Sequence, residues 1–77
     1  EQGDADAQLA LSSMYNMGIG VIQNHVYAHM WGSIATSNGE KLGGALRDLS
    51  ADDMTPTQIV KAQILARECV RKKFKGC

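Results

Sequence analysis

Helix-breaking residues divide this 77-residue chain into four amphipathic stretches. The breaks fall at Gly18 and Gly20, at Asn38-Gly39, and just before the single proline, Pro56. Between them, apolar residues recur three and four positions apart, which is the spacing of one helix face. None of the stretches sustains the β-branched alternation of a strand. The sequence therefore predicts an all-α fold of four helices.

Capping residues indicate where these helices begin. Asp4, Asn24 and Thr55 carry side-chain oxygens that accept hydrogen bonds from the free N–H groups of a first turn. Gln58 is placed to complete a capping box with Thr55, and Pro56 suits the first helical position. We expect helices over 5–17, 25–37, 40–51 and 56–73.

Two consecutive glycines, Gly43 and Gly44, lie inside the predicted third helix. Each glycine costs a helix about 0.5–1 kcal/mol relative to alanine. Close approach of a neighbouring helix backbone would compensate for this cost. The alternative is that the segment is poorly helical.

The two halves of the chain align as repeats. Gln2-Gly3 and Asn38-Gly39 each precede a helix and are 36 residues apart, and the second helices align at an offset of 34. The aligned pairs in the second helices include Ala28 with Ala62, Trp31 with Leu65, and Ala35 with Cys69. Units of this length with two helices each are typical of α-solenoids. We expect two antiparallel helical hairpins, stacked as a short α-solenoid.

One loop and its flanking helices carry a more specific pattern. The loop is Gly18-Ile19-Gly20-Val21, in which Gly18, Gly20 and Val21 form a Gly-x-Gly-Val motif. The matching positions around it are Gly3-Asp4-Ala5-Asp6-Ala7-Gln8, Leu11, Met14-Tyr15, Tyr27-Ala28, Trp31, Ala35 and Gly39. Together they closely resemble the Sel1-like repeat, a family similar to the tetratricopeptide repeats. In the second half, Asp53-Met54-Thr55-Pro56 replaces the loop motif.

The resemblance implies a division of the chain and a function. Residues 1–39 would form a Sel1-like repeat, and residues 40–77 a divergent capping hairpin at the C-terminal end of a longer repeat protein. Such a protein is an adaptor that presents a concave helical surface, lined mainly by first helices, to a protein or peptide. The family has no shared catalytic residues. The candidate interaction surface comprises Gln8, Ser12, Tyr15 and Asn16.

Two other functions are weighed against the adaptor. The segment could be a purely structural cap that closes a solenoid and binds nothing. Some cysteine-rich relatives are associated with hydrolysis of cell-wall-related substrates, but this chain lacks a Ser–Lys, Ser–His or metal constellation for that chemistry. We therefore expect no enzyme, no catalytic residue and no cofactor.

Charge and hydropathy restrict the partners. Eight basic and eight acidic residues give a net charge of zero, which does not favour nucleic acid. No apolar run approaches the roughly 20 residues of a membrane span. A protein or peptide partner is expected, and a homodimer could form through the exposed N-terminal end of a truncated solenoid, around Ala7 and Leu11.

Cys69 and Cys77 leave two alternatives, a disulfide or two free thiols with Cys69 inert on an apolar face. Gly76 would let the chain fold back over the helix end. The separation also resembles the C-x7-C bridges of secreted, cysteine-rich Sel1-like proteins. A disulfide would stabilise the chain by roughly 2–3 kcal/mol and indicate a periplasmic or secreted protein. Free thiols would leave a cytoplasmic location.

Three further groups of residues invite a functional interpretation. His25 and His29 have the i, i+4 spacing of helical metal ligands, but no third ligand follows, and surface histidines are the expected interpretation. The second group is expected to consist of solvated loop acids: Asp48, Asp52 and Asp53. The third group is expected to be a helix end whose positive charge compensates the macrodipole: Arg67, Arg71, Lys72, Lys73 and Lys75.

Overall fold

The computed structural model describes residues 4–77, which form four helices joined by short loops. These helices are α1 (Ala5–Met17), α2 (His25–Ser37), α3 (Leu42–Ala51) and α4 (Pro56–Arg71). No strand is present over these residues, so the prediction of an all-α fold is confirmed. Gln2 and Gly3, with which the repeat alignment began, lie outside the described residues.

The predicted capping residues begin three of the helices. The Asp4 carboxylate accepts from the Asp6 N–H at 2.8 Å, and the Asn24 side chain accepts from the first turn of α2. Thr55 and Gln58 form the reciprocal capping box, with the Thr55 N–H donating to Gln58 Oε1 at 2.9 Å. Local side-chain chemistry therefore fixes these helix starts, as the sequence predicted.

Two predicted helix boundaries were wrong by two residues each. α3 begins at Leu42 rather than at Glu40, because the Glu40 N–H donates to Ala35 O at 2.9 Å and ties this residue to the end of α2. α4 ends at Arg71 rather than at Lys73, because Lys73 and Phe74 adopt left-handed backbone conformations with φ of 56° and 66°.

The central element is α2, against which each of the other three helices packs. Its Met30, Trp31 and Ile34 are almost completely buried and form the core with Ala66 and Cys69 of α4. Four half-buried side chains cover this core: Leu11, Tyr15, Leu65 and Phe74. A core of this kind joins α4 to α2 and brings α1 against the same helix.

α1 and α2 run antiparallel, as expected for a helical hairpin. Tyr15 near the end of α1 meets Tyr27 in the first turn of α2, edge to face, with ring centroids 5.4 Å apart. At the other end, Asn38 just after α2 reaches Gln8 in the first half of α1. α3 and α4 instead pack on different faces of α2, and across residues 4–77 they form no comparable contact with each other. The second of the two predicted hairpins is therefore not formed, because both of its helices pack on α2.

The crossing of α2 and α3 brings two glycines together. A Cβ atom on Gly43 would lie 2.5 Å from the carbonyl oxygen of Gly32, and one on Gly32 would lie 2.8 Å from that of Gly43. Close backbone approach, the first of the two explanations considered for the glycines of α3, therefore accounts for Gly43. It does not account for Gly44, where a Cβ would have its nearest neighbour, Thr36 Oγ1, at 3.6 Å.

These two neighbouring glycines provide a matched test of the crossing. We expect Gly43→Ala to lower the free energy of unfolding by about 1–3 kcal/mol, because the added methyl group forces the helices apart. Gly44→Ala should instead raise it by about 0.5–1 kcal/mol, because alanine favours the helix and meets no obstacle. Urea denaturation of both variants measures the difference, and equal effects would contradict the close crossing.

Candidate functional site

Three of the four residues assigned to an exposed concave surface lie inside the protein. Gln8 and Ser12 have no exposed surface and Asn16 is 8% exposed, while Tyr15 is half-buried. The prediction of an interaction surface at Gln8, Ser12 and Asn16 was therefore wrong. These side chains face inward because each has a hydrogen-bond partner on a neighbouring helix or, for Gln8, on Asn38 just after α2.

Gln8, Ser12 and Asn16 form a buried polar seam along α1. The Asn38 side-chain amide donates to Gln8 Oε1 at 2.9 Å, and the Ser12 hydroxyl donates to the Ala28 carbonyl oxygen at 2.7 Å. Both bonds join α1 to α2 or the residue that follows it. Buried polar groups are retained at low cost when they are paired in this way.

The third member of the polar seam reaches α3. The Ser50 hydroxyl donates to Asn16 Oδ1 at 2.6 Å, and Asn16 Nδ2 donates to the Leu46 carbonyl oxygen at 3.3 Å. Gln23, in the loop after α1, also donates to the Asn16 backbone oxygen at 2.7 Å. The polar seam thereby connects one face of α1 to both neighbouring helices.

The loop that carries the Gly-x-Gly-Val motif joins α1 to α2. Gly18 and Gly20 have φ of 69° and 75°, a region that favours glycine, and the Gly18 N–H donates to Met14 O at 2.7 Å. Val21 is half-buried, whereas Ile19 and Ile22 on either side of this part of the loop are 58% and 90% exposed. The two glycines therefore allow the tight reversal between the helices.

The surface formed by residues 4–77 includes two open grooves, each between a pair of helices. The α1–α3 groove encloses about 390 Å³ and is lined by Asp6, Leu9, Ala10, Ser13, Leu42, Ala45 and Leu46. The α2–α4 groove encloses about 310 Å³ and is lined by Ser33, Ile34, Ser37, Asn38, Ala66, Arg67 and Val70. Apolar side chains dominate the first groove, and the second combines an apolar floor with serine, asparagine and arginine.

The lining of the α1–α3 groove follows the offset of the predicted repeat. Three of its pairs are separated by 36 residues, the offset between Gln2-Gly3 and Asn38-Gly39 in the sequence. These pairs are Asp6 with Leu42, Leu9 with Ala45, and Ala10 with Leu46. The sequence had instead predicted that the accessible strip of α1 is polar. The pairing of positions 36 residues apart was the sequence signal that could have identified the groove.

The two histidines lie on the side of α2 that faces α3. His25 Nε2 is 3.8 Å from Asp53 Oδ2, and His29 is only 4% exposed, with no hydrogen-bond partner for its Nδ1 atom. The prediction of a surface position was therefore wrong for His29. Over residues 4–77, no group of three or more His, Cys, Asp or Glu side chains is arranged to hold a metal ion.

Burial lowers the pKa of His29 below its usual value of 6.5, and the nearby Arg47 guanidinium lowers it further. The Asp48 carboxylate acts in the opposite direction and pairs with Arg47 Nε at 3.2 Å. His29 is therefore neutral at pH 7. Of the other predicted loop acids, Asp53 faces His25 and Asp52 directly follows α3.

The lowered pKa of His29 predicts loss of stability in acid. The unfolded chain takes up a proton as the pH falls below 6.5, whereas the folded chain resists protonation, so the stability present above pH 6.5 decreases as the pH falls towards the folded pKa. We expect the Tm of His29→Gln to depend less on pH than the Tm of the unsubstituted chain. The measurement runs from about pH 7.5 to about pH 5, which spans the ordinary histidine pKa of about 6.5. His25→Gln is the control, and a parallel pH profile for His29→Gln would contradict the assignment.

The sulfur atoms of Cys69 and Cys77 lie at bonding distance, 2.03 Å, and their Cα atoms are 5.8 Å apart. This is the disulfide that was one of the two predicted alternatives. Cys69 is 1% exposed within the core, and the Phe74 N–H donates to the Cys69 carbonyl oxygen at 2.9 Å. The disulfide thereby fastens the C-terminal segment to the core beside α2.

No helix among the described residues is both long enough and apolar enough to cross a membrane.

No family model, curated protein or solved structure matches this chain. The resemblance to the Sel1-like repeat therefore stays an interpretation of the sequence motif.

Proposed function

We propose that this chain is a protein-interaction module of the Sel1-like repeat type, and that its α1–α3 groove binds a peptide segment of a partner. The observation that carries the proposal is the lining of this groove by equivalent positions of two successive first helices. Helical repeats of this kind create extended concave binding surfaces in the same way. The groove replaces the surface that the sequence analysis assigned to Gln8, Ser12 and Asn16.

The chemistry of the groove indicates the kind of segment it binds. Leu9 and Leu46 are half-buried, whereas Leu42 is 61% exposed at the edge. Apolar side chains of a peptide would remove this surface from water, which supplies the main free energy of association. Asp6 also lines the groove, and its exposed carboxylate can accept a hydrogen bond from the peptide.

Burial at the aligned positions supports the repeat interpretation. Ala28 and Ala62 are both completely buried, and Ala35 and Cys69 are 0% and 1% exposed. A shared pattern of burial is expected when two second helices occupy equivalent places in successive repeats. On this basis we propose 1–39 as the repeat and 40–77 as a divergent terminal segment, whose two helices pack on α2 and not on each other.

The purely structural cap is the less favoured function. A terminal helix that only closes a solenoid is expected to present a polar outer face. Three apolar residues of α4 are instead about half exposed: Val60 at 52%, Ile64 at 43% and Val70 at 50%. This exposed apolar surface favours a helix that contacts something further.

Peptide selection on the immobilised 77-residue chain tests the proposed groove. Peptides enriched from a random displayed library should bind the unsubstituted chain and lose at least about tenfold in affinity for Ala45→Glu, because the carboxylate is placed in an apolar groove. Ala45 is exposed, so the fold should be retained. Gln63→Glu, which adds a negative charge on exposed α4 away from the groove, is the matched control.

Two outcomes would contradict this proposal. Enriched peptides that bind Ala45→Glu and Gln63→Glu equally well would place the interaction elsewhere. A selection that enriches no peptide at all would argue against a peptide-binding groove.

We also propose a periplasmic or secreted location, because disulfides persist in oxidising compartments. The support is the bonding distance between Cys69 and Cys77. Alkylation of the protein in freshly acid-quenched cells, followed by measurement of the intact mass, tests this proposal. An unchanged mass is expected, and the addition of two alkyl groups would favour the cytoplasm.

A further inference from the structure

Charge is distributed unevenly along a chain whose net charge is zero. Residues 1–55 contain seven acidic and two basic residues, whereas residues 56–77 contain six basic residues and one acidic residue. Within residues 4–77, the ion pairs are His25 with Asp53 and Arg47 with Asp48, so the basic side chains of α4 and the C-terminal segment remain unpaired. These cations are free to attract an acidic group from outside the chain.

An exposed stripe on α4 combines two of these cations with apolar residues. Val60, Ile64, Arg67 and Arg71 follow one another at spacings of four, three and four positions, which places them on one helix face. All four are exposed, with Val60 at 52% and Ile64 at 43%. We call these four residues the α4 stripe.

The α4 stripe adjoins the α2–α4 groove. Arg67 belongs to both, and it shares a shallow depression with Ile64, Glu68 and Arg71. Ile34 and Ala66 are buried and form the apolar floor of the groove, while Val70 is 50% exposed at its edge. One surface therefore offers an apolar recess beside two unpaired guanidinium groups.

We propose that the α4 stripe and the α2–α4 groove bind an acidic peptide segment of a partner protein, with an apolar side chain inserted into the groove. Charge complementarity identifies the occupant, because guanidinium groups can bind carboxylates in a bidentate manner. This second site shares no lining residue with the α1–α3 groove and does not depend on its function.

The recess favours a peptide over an anionic membrane. Ser33, Ser37 and Asn38 line the α2–α4 groove and supply hydroxyl and amide groups that can hydrogen-bond a peptide backbone. A helix that lies on a membrane separates a basic face from an apolar face. Arg67 and Arg71 instead continue the same stripe as Val60 and Ile64.

A designed acidic peptide tests the proposal. The probe is a fluorescein-labelled peptide of about four helical turns, with leucines at i, i+3 and i+7 and glutamates at the remaining positions of that face. Its binding to the 77-residue chain is measured by fluorescence anisotropy at about 0.15 M ionic strength, where the Debye length of about 8 Å screens charges outside the stripe. The same peptide with glutamine in place of glutamate should bind at least about fivefold more weakly, since each charge pair contributes up to about this factor.

Substitutions in the α4 stripe should weaken binding of the acidic peptide selectively. Arg67→Gln combined with Arg71→Gln should lower the affinity by about tenfold, and Ile64→Ser should lower it by several fold. Lys61→Gln removes the same charge from the same helix but lies outside the stripe and both grooves, so it should change the affinity by less than about twofold. Circular dichroism checks that each exposed variant keeps its helices.

Three results would overturn the proposal. The acidic peptide could fail to bind. Alternatively, Lys61→Gln could weaken binding as much as Arg67→Gln alone, which would indicate diffuse electrostatic attraction only. If the 77-residue chain binds vesicles of phosphatidylglycerol and phosphatidylcholine more tightly than it binds the acidic peptide, the stripe instead fits a membrane surface.

Discussion

The buried polar seam of α1 is the interaction on which the orientation of α1 and the position of the α1–α3 groove depend. Each seam residue is paired with α2, with α3 or with the residue that follows α2, so rotating α1 about its axis would leave several buried polar groups without partners. Such groups cost about 1–3 kcal/mol each when unpaired. The seam therefore fixes which side of α1 faces inward, and by doing so it leaves Leu9 and Ala10 facing the α1–α3 groove.

The position of α2 explains how a short chain supports two grooves. α3 approaches one face of α2 through the glycine crossing at Gly32 and Gly43, and α4 approaches another face through Met30, Ile34 and Ala66. Because α3 and α4 pack extensively on α2 and not on each other, surface on both remains open. The disulfide then holds the C-terminal segment against the core, where a small domain gains from an additional covalent link.

The sequence was most informative where structure depends on neighbouring residues. Helix starts at Asp4, Asn24 and Thr55 followed from capping groups within three positions, and Cys69 and Cys77, eight residues apart, left a disulfide as one of two alternatives. The orientation of α1 depends on Ala28, Asn38 and Ser50, which are distant in sequence, so polar side chains were assigned to the surface. The burial of His29 was missed for the same reason, since the α2–α3 crossing that covers it is a tertiary contact.

A double-mutant cycle between Asn16 and Ser50 tests most directly whether the polar seam holds α1 against α3. Urea denaturation would give the free energies of unfolding of the unsubstituted chain, Asn16→Ala, Ser50→Ala and the double variant. We predict a coupling energy of about 1 kcal/mol, because the two side chains share a buried hydrogen bond of 2.6 Å. Additive effects, within about 0.3 kcal/mol, would contradict the account and would leave the exposure of the α1–α3 groove without its physical basis.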